Sequence, residues 1–243
     1  ADMVKHHSVL YRDLADPLGV LRHRSKTGLR DYWSYVPGSS SPAEGHREYS
    51  QLMSSSLALI GDHILNSYPL DSYGSLVDVA GGTGNFARAV KKRYPHLSAT
   101  VLDLPEVVTE AKDQGLNSPI RFVATDMFRS SLPSDTELFS LVRVLHDHDD
   151  EPVGRLLARL HSALRPGGHL LIAEPMAGTA GAEPIGDTYF GFYLWAMGSG
   201  RPRTAEELRA MCLAAGFTGV REFKTPIPAL TRLLVAEKAV NSE

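Results

Sequence analysis

Cysteine is almost absent from this chain: Cys212 is the only one in 243 residues. No intrachain disulfide can form, which removes the disulfide-stapled scaffolds and suits a reducing compartment. Long apolar runs are missing as well. No stretch approaches the roughly 20 apolar residues of a membrane-spanning helix. Ala1–Tyr11 lacks the long apolar core of a secretory leader. Neither charge sign dominates, and a net charge of -3 gives no broad pull toward nucleic acid, so we expect no nucleic-acid partner. Repeats are absent, and the only biased tract is the short loop-like Pro37–Pro42. What remains is 43% apolar and 22% charged residues, ordinary for a globular protein. The length fits one large α/β domain, or one such domain with a small appendage.

The stretch from Leu76 to Phe86 organises the rest. An apolar run carrying Asp78 meets the glycine-rich turn Ala80-Gly81-Gly82-Thr83-Gly84, and a helical pattern follows. Small residues let a ligand approach the backbone, and the helix start offers free N–H groups. The turn satisfies the dinucleotide pattern G-x-G-x-x-G/A, and it also suits S-adenosylmethionine (SAM). Asp78 favours SAM. A carboxylate beside the turn repels a pyrophosphate and attracts the ammonium of a methionine moiety.

From Ser75 onward strands and helices alternate. Strands are expected at Ser75–Val79, Ala99–Leu104, Ile120–Thr125, Leu138–Leu145 and His169–Glu174. Helices are expected at Asn85–Tyr94, Val107–Gln114, Pro152–Leu164, Ile185–Met197 and Thr204–Ala215. Asp149 or Asp150 should cap the helix that begins near Pro152, and Arg165–Gly168 should end it. Continuous apolar strands in β-α-β order imply a parallel sheet covered on both faces. Thr218–Lys224 and Thr231–Glu237 should form an antiparallel pair at its end. Upstream, Tyr49–Tyr68 reads as a helix, and Tyr49 and Met53 on it are candidates to roof a pocket. The apolar stripe Val9, Leu10, Leu14, Leu18 and Leu21 is too small for its own core and must pack on something else.

Ligands of such a sheet sit beyond the carboxyl ends of the strands. Asp78, Asp103 and Asp126 lie at three successive strand ends. Asp103, about 20 residues past the turn, is placed to accept both ribose hydroxyls. Asp126 can accept from an adenine amino group while Met127 packs on the base, with Phe128 beside it. The bland alternatives are a helix N-cap for Asp103 and a solvated acid for Asp126.

After the fourth strand comes Arg143-Val144-Leu145-His146-Asp147-His148. A neutral His146 can take a proton from a substrate hydroxyl as that oxygen attacks a methyl carbon. Glu174, ending the fifth strand, can hold the other ring nitrogen, and Asp147 joins them in the catalytic set. Arg143, at the head of the run, joins the cofactor set. Two histidines among acids also suggest a metal. Capping and the helix dipole account for Asp149, Asp150 and Glu151, no second ligand cluster is evident, and we expect no metal.

These motifs together resemble a known family. VDVAGGTGNF (77–86), LDLP (102–105), ATDMF (124–128), RVLHDHDDE (143–151), LRPGGHLLIAEP (164–175) and SGRPRT (199–204) occur in order. The chain from about Tyr49 to Lys238 is similar to the catalytic domain of the SAM-dependent small-molecule O-methyltransferases, the group of the plant caffeic acid methyltransferases. HHSVLYRDLADP (6–17) and the run from Ala173 to Thr204 resemble, more closely, bacterial members that act in carotenoid synthesis. The resemblance implies a Rossmann-like class I fold, a mostly parallel seven-stranded sheet with a terminal antiparallel strand. It implies SAM as cofactor and S-adenosylhomocysteine as product. It matches His146 to the general base, Glu174 to a flanking acid, and Ala80, Gly81, Asp103, Leu104, Asp126 and Met127 to cofactor contacts, among which we also count Gly82 and Gly84. By the same likeness the helix around Phe190, Tyr193, Leu194 and Met197 lines the acceptor pocket.

The sequence departs from that family in three places. Ala80 stands for the first glycine of the turn, and Pro202 for a second flanking Glu in the plant enzymes. The upstream winged-helix dimerisation domain has no counterpart. The chain begins without Met, so residues 1–45 are expected to be a remnant of that domain with its linker, and 46–243 the methyltransferase domain. The expected activity is methylation of an apolar alcohol, a hydroxylated carotenoid first. An aromatic phenol or polyketide is the alternative acceptor. An NAD-dependent oxidoreductase and an inactive scaffold are the other readings. The expected setting is cytoplasmic, as a homodimer when full-length, with at most peripheral membrane contact to collect substrate.

Overall fold

The computed structural model describes residues 2–22, 26–32, 59–113, 115 and 119–240. Tyr49, Met53 and the first half of the expected helix Tyr49–Tyr68 lie outside them. Three helices open the chain: α1 (Asp2–Asp13), α2 (Pro17–Arg22) and α3 (Gly28–Tyr32). Residues 59–67 form α4. Then follow β1 (Ser75–Val79), α5 (Asn85–Arg93), β2 (Ser98–Asp103), α6 (Pro105–Asp113), β3 (Arg121–Ala124) and β4 (Thr136–Val142). A 3-10 turn (Leu145–Asp147) leads to α7 (Asp150–Ala163), β5 (Leu164–Glu174), α8 (Phe190–Met197), α9 (Ala205–Ala214), β6 (Gly219–Phe223) and β7 (Arg232–Glu237).

The seven strands form one sheet in the order β3-β2-β1-β4-β5-β7-β6. β1 to β5 run parallel, and β7 runs antiparallel between β5 and β6. The final hairpin is therefore inserted, and β6 becomes the edge. Winding reverses between β1 and β4, which opens a crevice at their carboxyl ends.

Alternate residues of a strand face opposite sides of a sheet. Val77, Val79, Phe139, Leu141, Leu170 and Ile172 join one core with Leu156 and Leu160 of α7 and Leu208 of α9. Their chain neighbours Leu76, Leu138, Leu171 and Ala173 join a second core with Ile60 and Ile64 of α4 and Phe86 and Val90 of α5. Both faces are thus covered, as continuous apolar strands require.

Local readings shift in several places. β4 ends at Val142 rather than Leu145, because Arg143 takes φ 58° and the chain turns into the 3-10 turn. β5 begins at Leu164, five residues before His169, through an irregularity in its pairing with β4 between Thr136 and Leu138. The expected helix Ile185–Met197 is a π-helical stretch, Pro184–Tyr189, running into α8. Asp149 stands at the N-cap of α7, but its side chain makes no capping bond. That carboxylate instead accepts the N–H of Gly200 at 3.0 Å.

The first helices pack on α8. Leu10, Val20 and Leu29 form a third core with Tyr193, Leu194, Ala196 and Met197. His6 Nε2 lies 2.6 Å from the Tyr193 hydroxyl, and Trp195 donates to the carbonyl of Val20 at 3.1 Å. Among the described residues, no helix is long and apolar enough to cross a membrane.

Candidate active site

A cavity of about 920 Å³ opens at the carboxyl ends of the strands. Asp78 of β1, Asp103 of β2, Asp126 just past β3 and Arg143 just past β4 all line it. So do Ala80, Gly81, Gly82, Leu104, Met127 and Phe128. A parallel sheet aligns its strand ends along one edge, so residues far apart in sequence share one wall.

The turn after β1 is tightly built. Ala80 adopts φ 54°, a left-handed conformation that costs a non-glycine residue about 1–2 kcal/mol. Gly81 is required by proximity: a Cβ there would lie 2.4 Å from Asp78 Oδ2. Gly84 caps α5 at φ 84°.

Asp78 is buried, and the register that sets it opposite Ser140 on β4 lets the serine hydroxyl donate to its Oδ1 at 2.6 Å. Its Oδ2 is buried with no hydrogen-bond partner. Burial raises its pKa to about 7; the Ser140 bond opposes this, and nearby Asp103 adds to it. An orphaned carboxylate oxygen on a cavity wall calls for a cation or donor there. Asp103 accepts from Gly82 N through Oδ2 and from Leu104 N through Oδ1, each at 2.7 Å. Burial pushes its pKa up to about 6 against the pull of those two donors. Each Asp103 oxygen keeps one lone pair, enough for a pair of vicinal hydroxyls. Asp126 Oδ1 accepts from Phe128 N at 2.8 Å, which turns Met127 and Phe128 along the wall. An ammonium site, a diol site and an apolar shelf in series fit SAM. They do not fit a pyrophosphate, which would lie against two carboxylates.

Asp103 therefore carries a testable expectation. A lost hydrogen bond to a charged group costs about 1.5–3 kcal/mol. Asp103→Ala should weaken SAM binding roughly ten- to a hundred-fold. Asp103→Asn keeps one acceptor for the turn and should fall between. Calorimetric titration measures both, and unchanged affinity in folded variants would remove Asp103 from the cofactor site.

On the other side of the crevice, the 3-10 turn holds His146. Glu174 accepts Val144 N at 2.9 Å and Leu145 N at 2.8 Å through one oxygen, and its other oxygen meets His146 Nδ1. His146 Nε2 lies 3.2 Å from Asp147 Oδ1. Burial alone would depress the imidazole, but Asp147 and Glu174 outweigh it and raise the pKa to about 9. The ring is 6% exposed, and among the described residues the cavity wall includes Asp147 and His148 but not His146. The expected base is thus a buried imidazole whose two carboxylate neighbours favour its charged form, with Asp147 between it and the cavity.

The expected acceptor residues divide. Met197 lines the cavity. Phe190 packs edge-on to His146, ring centroids 5.1 Å apart, and stacks on Tyr193. Tyr193 and Leu194 face α1–α3 in the third core. Neither they nor Phe190 belongs to the wall, because one side of α8 must cover the first helices.

Sequence reasoning passed over Ser140, Gly200 and Arg203. Ser140 is a serine in an apolar strand, and that break in the pattern was its only signal. Ser199 Oγ donates to Asp147 O at 2.8 Å, so SGRPRT wraps the histidine turn. The motif was legible; what it touches was not.

A sheet of this order with acids at its strand ends is the class I methyltransferase fold. A family model described as the O-methyltransferase domain matches residues 11–218, and the chain belongs to that family. It is 43% identical over 239 residues to a demethylspheroidene O-methyltransferase of Rhodobacter capsulatus, covering 97% of this chain and 60% of that protein. Over 164 residues it is 37% identical to an acetylserotonin O-methyltransferase of Rattus norvegicus, 66% of this chain and 38% of that protein. The crystal structure of human N-acetylserotonin methyltransferase in complex with SAM superposes with a TM-score of 0.84 at 25% identity, covering 98% of this chain and 70% of that one. The chain spans 60% of the length of its demethylspheroidene O-methyltransferase relatives.

Proposed function

We propose that the intact protein transfers a methyl group from SAM to a hydroxyl of an apolar small molecule, a hydroxylated carotenoid before others. The observation that carries the reading is one cavity with Asp78 and Asp103 on one wall and Asp147, backed by His146 and Glu174, on another. When bound, SAM supplies an electrophilic methyl on a sulfonium that leaves as a neutral thioether. The protein's part is alignment and handling the acceptor's proton. Glu174 fixes His146 through Nδ1, which directs Nε2 toward Asp147 and the cavity side. The acceptor's proton leaves toward that His146–Asp147 pair. Residues 46–243 supply the chemistry, and residues 1–45 belong to the part that joins two copies into a dimer. The proposal extends to a cytoplasmic protein that meets the membrane only peripherally.

The likeness to demethylspheroidene O-methyltransferases supports the carotenoid, and Met197 on the wall suits a polyene chain. The acetylserotonin relatives favour a second reading, an aromatic hydroxyl. The two separate on a panel of acceptors. With the intact protein, kcat/KM for a 1-hydroxy carotenoid should exceed that for caffeate or a simple phenol, and Met197→Asn should narrow the gap. The reverse order would promote the phenol. Calorimetry should show binding of SAM and S-adenosylhomocysteine; tight NAD binding in their place would return the oxidoreductase reading.

A further inference from the structure

Arg203 has no role in the chemistry above, yet it is a charged side chain only 2% exposed. Its guanidinium donates to the carbonyl of Leu145 at 2.8 Å, to that of His148 at 2.7 Å, and through Nε to Asp150 Oδ1 at 2.9 Å. Leu145 and His148 bracket His146 and Asp147. The guanidinium therefore grips the turn on both sides of the pair that faces the acceptor. Its own footing is firm. The Arg203 carbonyl accepts Ala177 N at 2.9 Å, just past Glu174 at the end of β5. The next residue, Thr204, opens α9 with a reciprocal capping box to Glu207. Burying a guanidinium is costly unless its donors are satisfied, and here they go to two carbonyls of one short turn and to the Asp150 carboxylate.

We propose that Arg203 is a positioning residue for methyl transfer, locking the His146–Asp147 turn onto the framework that carries Glu174. The inference rests on the proton-handling role proposed for that trio. Only arginine fits the task. Its planar fork reaches three acceptors in different directions, whereas a lysine ammonium at the same place reaches fewer. The groups facing the imidazole are Glu174, Asp147 and the Phe190 ring, with His148 and Arg203 itself at the turn.

Arg203→Lys in the intact protein keeps the charge and loosens the fork, so any change reports geometry. Turnover should fall about ten- to a hundred-fold with little change in SAM affinity, the scale of a misplaced catalytic group. Histidine NMR titration needs no acceptor. In the wild type His146 should titrate near pH 9, and in Arg203→Lys it should titrate at lower pH because its contacts with Glu174 and Asp147 lengthen. A purely structural role would lower the melting temperature and leave that titration in place, which would overturn the proposal. Should Arg203→Lys not fold, Asp150→Ala removes one arm at an exposed carboxylate and should lower kcat by a smaller factor. Unchanged kcat in it would overturn the proposal too. Arg201→Gln takes away the exposed ion pairs of Arg201 with Asp150 and Glu207 without touching the turn, and should leave turnover unchanged. If the wild type transfers no methyl group, the functional reading fails, and the NMR titration still decides the fate of the clamp.

Discussion

His146→Ala is expected to lower kcat by about a hundred- to ten-thousand-fold, the usual contribution of a positioned acid–base group. SAM affinity should hold, because Asp78 and Asp103 stand on another wall of the cavity. The fold should hold as well. Glu174 keeps its bonds from Val144 N and Leu145 N when the imidazole is gone, so the turn does not lose its anchor. The wild-type pH profile supplies a second check. A base must be neutral to act, and the carboxylates on either side of His146 raise its pKa to about 9. Below that pH the ring is charged and idle. Log kcat/KM should therefore rise with pH and level off near 9. Glu174→Gln removes one negative neighbour, so the limb should move to lower pH. Its amide also cannot accept from Nδ1–H with the donor end it turns there, which disturbs the tautomer and lowers the plateau, though less than His146→Ala does. Near-normal turnover in His146→Ala, or a flat profile between pH 6 and 9, would mean that alignment of the reactants suffices.

Gly200→Ala should be the most damaging change that touches no charged group. Gly200 sits at φ 78°, and a Cβ there would lie 2.0 Å from His146 O and 2.6 Å from the carbonyl carbon of Asp147. Those are backbone atoms of the His146–Asp147 turn, and they cannot swing aside as a side chain can. Overpacking costs about 1–3 kcal/mol, and the left-handed conformation adds about 1–2 kcal/mol for alanine. Such a loss is a sizeable share of a typical stability of about 5–15 kcal/mol. For a chain of this length the melting temperature should drop by roughly 4–20 °C. Relief of the clash would push the turn away from Ser199 and Gly200 and break the contacts to Asp147 O and Asp149. Turnover should then fall by about a hundred-fold, since an ångström of displacement has that effect. Calorimetric melting and a steady-state assay measure both, and wild-type values in both would mean that the 198–204 segment does not support the turn.

The local pattern of this sequence is enough to determine the architecture. Continuous apolar strands alternating with helical stripes leave a parallel sheet as the way to bury them. The small residues from Ala80 to Gly84 mark where a ligand can meet the backbone. Acids at the ends of successive strands then share one edge, since parallel strands align their carboxyl ends. These features depend on neighbours a few residues apart.

Tertiary structure alone decided the rest. Asp78 meets Ser140 through the register of β1 against β4, a matter of pairing between distant segments. The sequence places His146 past β4 but says nothing of its orientation. Glu174 at Nδ1 and Asp147 Oδ1 3.2 Å from Nε2 raise the pKa of the buried imidazole to about 9. Arg203 finds the carbonyls of Leu145 and His148 only because SGRPRT folds back over the turn. The family likeness sets Tyr193 and Leu194 on the pocket wall, but α8 is apolar all round, and such a helix carries no sign of which neighbour takes which side. The first helices took that side. Periodicity reports that a surface is buried; the partner is chosen by the packing of the whole chain.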